Sequence, residues 1–333
     1  MSKLIDTYGR KHRNLRVSLT DRCSLRCTYC MPNDFAAWIP NEDLLNTDEL
    51  ITIIEVALSQ GIDEVRLTGG EPLLRPDIVE IVARIASIAD APKLTLTTNG
   101  LRLNELAEPL AKAGLNRINV SLDTLSRERF KTLTYRDRFD DVIAGLEAAK
   151  SAGLFPIKVN SVLLQGVNDD EAPGLLAWAL ENEYSLRFIE QMPLDAGGIW
   201  DRATMVTADE IFANLSAHYS LTSVDERGSA PAEEFFVNGT SSTVGIIGSV
   251  TRPFCGACDR LRLTSDGQIR SCLFSNEEVD LRKVLRDSAT DSNAKREEIA
   301  SRFQKTVLGK LPGHGINDPS FIAPSRPMSA IGG

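Results

Sequence analysis

Residues 64–100 read EVRLTGGEPLLRPDIVEIVARIASIADAPKLTLTTNG. A short apolar run rich in Val, Leu and Thr ends in a glycine turn at Gly69–Gly70. An amphipathic stretch, PDIVEIVARIASIAD, follows, and a second β-like run, KLTLTTNG, closes the segment. Strand, helix and strand in that order form one βαβ unit, whose two strands lie parallel. The pattern recurs on both sides. LRVSLT (15–20), RINVSLD (117–123), IKVNSVLL (157–164) and LRFIEQMP (186–193) read as further strands. TDELITIIEVALSQG and FDDVIAGLEAAKSAG read as helices between them, with Thr47 or Asp48 as N-cap and Gly61 and Gly153 where helices stop. Alternation of this kind predicts an α/β chain with a parallel sheet, either open and doubly wound or curled into a barrel. Six strands fall short of the eight of a full barrel, which favours an incomplete (β/α)6 TIM-type barrel. The residues with chemical character fall at the C-terminal ends of these strands, where active sites gather in both architectures.

After about residue 205 the pattern changes. TADEIFANLSAHYS reads as one more helix, SVDERGSAPAE as a polar loop, and EFFVNG and STVGIIGSV as strands. In RLRLTSDGQIRSC, Asp266–Gly267 between two alternating runs predicts a type I′ hairpin. A charged helical stretch over about 277–308 and a tail rich in Pro and Gly follow. The organisation expected is a strand–helix part over 1–220 and a C-terminal extension over 221–333 that carries the hairpin.

Totals exclude some classes. A net charge of −9 and a pI near 5.1 argue against general binding to nucleic acid or an anionic membrane, while leaving room for one basic pocket. No stretch approaches the roughly 18–20 apolar residues of a membrane span. MSKLIDTYGRKHRNLRVSL has no signal-peptide core. The six cysteines are therefore expected in a reducing cytoplasm, as metal ligands or catalysts before disulfides.

Those cysteines form two sets of three. DRCSLRCTYCMP holds Cys23, Cys27 and Cys30; PFCGACDRLRLTSDGQIRSC holds Cys255, Cys258 and Cys272. Three buried thiols, an incomplete zinc site, and a cubic iron–sulfur cluster with one iron left open are the readings of the first set. The second could also be half a zinc ribbon, although neither His218 nor His314 stands at a zinc-finger spacing. Two trios that account for every cysteine suggest two clusters, one open to a cofactor and one to a substrate. Arg260 and Arg262 alternate on one strand and so present two guanidinium forks on one face, which suits phosphate, or else a basic solvent face.

CSLRCTYC resembles the CxxxCxxC signature of radical S-adenosylmethionine (SAM) enzymes, and LTGGEPLLRPD (67–77) resembles their glycine-rich element. TRPFCGACDRLRLTSDGQIRSCLFS, FIEQMPL, PIKVNSVLLQGVND and the terminal IGG, with the rest of the chain from about Leu15, resemble the GTP 3′,8-cyclase family of molybdenum cofactor biosynthesis. The resemblance implies conversion of GTP to (8S)-3′,8-cyclo-7,8-dihydroguanosine 5′-triphosphate, the first step of that synthesis. A 5′-deoxyadenosyl radical would take the ribose C3′ hydrogen, and the carbon radical would attack guanine C8. It also implies two [4Fe–4S] clusters: Cys23, Cys27 and Cys30 at the SAM-binding one, Cys255, Cys258 and Cys272 at one facing the guanine. Implied SAM contacts are Tyr29, Gly70, Ser121 and Met192. Implied GTP contacts are Arg16, Arg66, Thr97, Lys158, Arg260, Leu261 and Arg262. Gly332 and Gly333, in a tail that composition alone would leave disordered, are implied to reach the active site, which makes them catalytic with the first trio, Arg260 and Arg262. Partners implied are a reductant protein, a downstream cyclic pyranopterin synthase and, as assembly, a homodimer. A peptide-modifying maturase and a zinc-stabilised binding module are the rival readings.

Overall fold

A computed structural model describes residues 3–31, 38–195, 197–198, 200–224 and 227–332. The first six strands are β1 Asn14–Ser18, β2 Glu64–Thr68, β3 Lys93–Thr98, β4 Arg117–Ser121, β5 Ile157–Val162 and β6 Ser185–Ile189. The helices between and after them are α1 Thr47–Ser59, α2 Ile78–Ala86, α3 Leu103–Lys112, α4 Arg127–Thr134, α5 Phe139–Ser151, α6 Ala172–Glu181 and α7 Ala208–Ser216. Beyond α7 come β7 Leu221–Ser223, β8 Glu233–Val237, β9 Thr243–Ile247, β10 Arg260–Leu263, β11 Gln268–Arg270 and β12 Val279–Asp280. Helices α8 Arg282–Arg286, α9 Ser292–Leu308 and α10 Met328–Ile331 complete the described chain.

All six expected strands are present, and they pair in parallel in chain order. The sheet then continues on both sides. β10 joins β1 in parallel and β9 joins β6 in parallel. Antiparallel β11–β12 and β8–β7 finish the two ends, giving the order β12-β11-β10-β1-β2-β3-β4-β5-β6-β9-β8-β7. The order has two ends and does not close on itself, as an incomplete barrel requires. Arg16 (β1), Arg66 (β2), Thr97 (β3), Asn119 (β4), Asn160 (β5), Arg187 (β6), Ile247 (β9) and Arg260 (β10) nevertheless line one cavity, so the sheet must curl around it. Alternate residues on each strand point outward, where Leu15, Val17, Val65, Leu67, Leu94, Leu96, Ile118 and Val120 pack in one core beneath the helices. That core also holds Val244, Ile246, Leu261 and Leu263, so the parts 1–220 and 221–333 share one sheet and one core.

Three local expectations need correction. Asn46, not Thr47 or Asp48, caps α1; its side chain accepts from the Glu49 N–H while Glu49 reaches back to the Asn46 N–H. The β10–β11 turn is not type I′, which demands positive φ at both central residues. Only Gly267 turns left-handed, at φ 82°, and its N–H donates to the Thr264 carbonyl, as in a type I turn followed by a left-handed glycine. The charged stretch 277–308 is not one helix. Asp287 accepts from the Ala289 N–H and Asp291 caps α9, so side-chain bonds to the backbone interrupt it. The tail, which composition alone would leave loose, is packed: Ser329, Ala330, Ile331 and Gly332 are buried, and the Met328 N–H donates to the Leu194 carbonyl. Gly333 lies outside the described residues. Among them no helix is long and apolar enough to cross a membrane.

Candidate active site

The first cysteine loop leaves β1 and is held by the turn after β2. The Gly70 N–H donates to the Thr20 carbonyl (2.6 Å) and the Glu71 N–H to the Arg22 carbonyl (2.7 Å). This approach is why both turn residues are glycine. A Cβ on Gly70 would stand 2.3 Å from the Arg22 carbonyl oxygen, and Gly69 takes φ 151° with its missing Cβ 2.5 Å from the Thr20 oxygen. The Cys27 carbonyl accepts from the N–H groups of Cys30 and Met31, which coils the loop so that the trio faces inward. Cys23, Cys27 and Cys30 share a cavity of about 210 Å³ with Tyr29, Gly70, Ser121 and Met192. All the expected SAM contacts thus meet around one space.

The donor set fits an iron–sulfur cluster. Burial pushes the Cys23 thiol up to about 11 and Cys30 up to about 12, and Cys27 well above its ordinary value. Thiols in this apolar setting stay protonated until metal binding displaces the proton. Among the described residues no three His, Cys, Asp or Glu side chains gather tightly enough for a single ion.

Two carboxylates on the same wall have no part in the sequence reading. Glu71 accepts from the N–H groups of Leu73 and Asn99 and from the Thr98 hydroxyl, and burial raises it to about 7. Asp123 accepts from the Tyr29 hydroxyl (2.8 Å) and the Val162 N–H (2.9 Å), and burial raises it to about 6. Their places, straight after the double glycine and at the end of NVSLD, were the available signal. A raised carboxylate stabilises the fold while protonated and loses that contribution as pH climbs through its folded value. Asp123→Asn keeps both hydrogen bonds, since the Tyr29 hydroxyl can turn to accept. Melting of the metal-free protein should therefore show wild type and variant alike near pH 4. The variant should gain by about 3 kcal/mol as pH passes 6, the equivalent of a shift of about two pKa units.

A layer of arginines adjoins this cavity. Arg262, Arg16 and Arg66 stand in direct register on β10, β1 and β2. Burial pushes Arg16 well below its ordinary value, and the charges of Arg262, Arg66 and Arg260 add to that. The Nε atoms of Arg16 and Arg260 are buried without a hydrogen bond, although Asp259 stands 3.8 Å from that of Arg260. Arg16, Arg260 and Arg262, with Arg66, Thr97, Arg187, Asn119 and Asn160, surround a space of about 120 Å³. Arg66 is partly neutralised by Glu64 (3.2 Å) and Arg187 by Glu234 (2.8 Å). Two expected GTP contacts sit elsewhere. Lys158 is not among the lining residues; burial and the charge of Arg187 lower it to about 8. Leu261 points its side chain into the outer core, because it alternates with Arg260 and Arg262. Asn119, Asn160 and Arg187 were missed in the sequence because nothing local marks an inward strand residue as lining a cavity.

Thr97, Asn160, Ile189, Met192 and Met328 line both spaces, so the two adjoin. On the far side the arginine cavity is walled by Phe254, Arg260, Arg262 and Leu273, the neighbours of Cys255, Cys258 and Cys272. That second trio faces a hollow of about 250 Å³ with Arg10, Lys310 and His314. Arg10 fastens its loop, donating to the carbonyls of Cys255 (2.7 Å), Leu311 (2.7 Å) and Pro312 (3.1 Å).

The tail enters between these parts. The Gly332 carbonyl accepts from Arg262 Nη1. Gly332 takes φ 86°, and a Cβ there would stand 3.0 Å from Thr68 Cγ2. Arg326 anchors the tail upstream, with both carboxylate oxygens of Asp266 (3.0 and 2.9 Å) and with Glu278 (2.9 Å). Loss of such a forked ion pair costs about 1.5–3 kcal/mol. Arg326→Met should thus raise the rate of proteolytic cleavage within 326–332 by about tenfold or more, read by mass spectrometry, with the rest of the digest unchanged.

Comparison with known proteins places this geometry. The chain is 58% identical to the GTP 3′,8-cyclase of Streptomyces coelicolor over 99% of its own length and 96% of that protein's. The chain belongs to the GTP 3′,8-cyclase family. The cyclase of Mycolicibacterium smegmatis is 53% identical, over 99% of this chain and 92% of the relative. Residues 17–179 match the Radical SAM superfamily, which carries a [4Fe–4S] cluster and SAM, and residues 184–316 match Molybdenum Cofactor Synthesis C. Among solved structures, Streptococcus suis SuiB bound to S-adenosylmethionine superposes with TM-score 0.62 at 15% identity, over 96% of this chain and 76% of that one. SuiB bound to its precursor peptide gives 0.61 at 16%, over 89% and 65%. At that identity the likeness is one of fold. A peptide-maturing reading gains nothing from it, and the cyclase relatives decide the family.

Proposed function

We infer that the chain converts GTP to (8S)-3′,8-cyclo-7,8-dihydroguanosine 5′-triphosphate, the first step of molybdenum cofactor synthesis. The observation that carries this reading is the in-register row Arg262–Arg16–Arg66 facing a cavity that shares its wall with the first cysteine site. Three adjacent guanidiniums repel one another, and the row makes sense when a polyanion lies against it. In this reading Cys23, Cys27 and Cys30 hold one [4Fe–4S] cluster, and Cys255, Cys258 and Cys272 hold a second. With SAM held beside it by Tyr29, Gly70, Ser121 and Met192, the first would supply the one-electron chemistry needed to remove a ribose hydrogen.

The chain's own residues do the rest. Arg16, Arg66, Arg260 and Arg262 neutralise and orient the triphosphate, and Lys158 adds positive charge one layer away. Thr97, Asn119 and Asn160 offer hydrogen bonds to the sugar and base. Tyr29, Gly70, Ser121 and Met192 hold SAM. Ile189, Met192 and Met328 supply the apolar part of the wall that the two sites share, which helps shield a reactive carbon centre from water. Gly332 holds the Arg262 guanidinium through its carbonyl, and Gly333 keeps the catalytic role that the family resemblance implies. Leu261 can reach a ligand only through its backbone. Residues 1–220 carry the SAM chemistry, and 221–333 the second cluster and much of the nucleotide site. The reading extends to a cytoplasmic setting, a reductant protein as electron donor, a cyclic pyranopterin synthase as consumer of the product, and a homodimer as assembly.

Anaerobic incubation with GTP, SAM and a reductant tests it. 5′-Deoxyadenosine should form with GTP and fall to background without it. Equal formation with an unrelated peptide in place of GTP would overturn the reading.

A further inference from the structure

Lys310 lies just past the end of α9, where its N–H donates to the Val307 carbonyl. It is only 4% exposed, an unusual burial for a lysine. Its side chain runs under β10. Nζ donates to the Arg260 carbonyl at 2.6 Å and lies 3.5 Å from Cys258 Sγ. The charges that act on it most strongly are those of Cys258, Cys272 and Arg10. A buried ammonium needs an anionic counterpart. Here the anion on offer is the sulfur of Cys258. Arg10, the next cation, spends its guanidinium on backbone carbonyls and on Asp6.

We propose that Lys310 is a positioning residue for the second cysteine site: pinned by the Arg260 carbonyl, its ammonium sets positive charge on the Cys258 thiolate and raises the reduction potential of the cluster held there. The proposal rests on the two-cluster reading above. Hydrogen bonds and positive charge at ligand sulfurs favour the more electron-rich, reduced state. The same ammonium ties the backbone of Arg260, whose side chain faces the nucleotide, to a cluster ligand. Charge at the metal site and the grip on the triphosphate therefore depend on one side chain.

A structural role alone, filling a gap and satisfying one carbonyl, would leave the potential unchanged. The test is an EPR-monitored redox titration of reconstituted wild type, Lys310→Met, Lys310→Gln and Lys310→Arg, with iron content measured on each. The first cluster, recognised by its response to SAM, serves as internal reference. In Lys310→Met the second cluster should titrate at a more negative potential, with at least a tenfold change in its oxidised-to-reduced ratio at fixed poise, 59 mV for one electron. Lys310→Gln should shift in the same direction and Lys310→Arg should recover most of the change, while the first cluster stays put. Full iron loading in Lys310→Met with an unmoved second midpoint would overturn the proposal. Should that variant fail to hold its second cluster, a wild-type midpoint in Lys310→Gln overturns it equally. Wild type with about four irons and no second signal would instead sink the two-cluster reading itself.

Discussion

Gly70→Ala should abolish SAM-dependent chemistry while leaving the nucleotide site in place. The added Cβ would stand 2.3 Å from the Arg22 oxygen, 2.5 Å from the Asp21 oxygen and 2.6 Å from the Arg22 carbonyl carbon. All three are backbone atoms, so no rotamer change relieves the clash. The cysteine loop must move away from the turn, which breaks the bonds from Gly70 and Glu71 to Thr20 and Arg22. Overpacking of this kind costs about 1–3 kcal/mol even where side chains can yield. Here the strain falls on the segment that spaces Cys23, Cys27 and Cys30. The expected result is loss of about half the bound iron and at least tenfold weaker SAM binding, measured by iron assay and equilibrium binding. Gly174→Ala is the matched control. Nothing lies within 4 Å of its added Cβ and it sits in α6, so helix propensity should leave it as stable as wild type or slightly more so. Full iron and SAM affinity in Gly70→Ala would mean the close approach of turn and loop is not what holds the site.

Arg16→Met should stabilise the protein and disable it together. Arg16 stands between Arg262 and Arg66 in register, feels Arg260 as well, and buries an Nε without a partner. With no ligand the row is a net cost to folding, since like charges meet in a poorly solvated setting. Methionine keeps most of the length and removes the charge. Melting temperature without nucleotide should rise by about 1–2 °C, the equivalent of about 1 kcal/mol in a chain of this size. GTP affinity should fall about 10- to 100-fold, from the loss of a charge-assisted contact worth about 1.5–3 kcal/mol. The opposite signs are the point. A structural arginine would destabilise when removed, and an idle one would leave GTP binding alone.

The βαβ rhythm was legible because each unit is local: period two, a turn, period 3.6. The first trio and its glycine turn were legible for the same reason, being short and unbroken in sequence. What sequence could not display is which distant strand lies next to which. β9 and β10 belong to the parallel sheet, yet each lies far along the chain from the strand it extends, β6 and β1. That pairing lays Arg262 beside Arg16, and no local pattern announces it. Leu261 shows the converse. Its place in the RLRL run puts its side chain in the core, whatever its neighbours do. The tail reads as loose by composition because its anchors, Asp266, Glu278, Leu194 and Arg262, all lie elsewhere in the chain.

The central claim is that the nucleotide lies with its ribose toward the SAM cavity and its phosphates on the arginine row. Turnover of GTP carrying deuterium at ribose C3′ tests this most directly, with the 5′-deoxyadenosine read by mass spectrometry. One deuterium in the released nucleoside is the predicted result. 5′-Deoxyadenosine free of deuterium, formed while GTP is consumed, would contradict it.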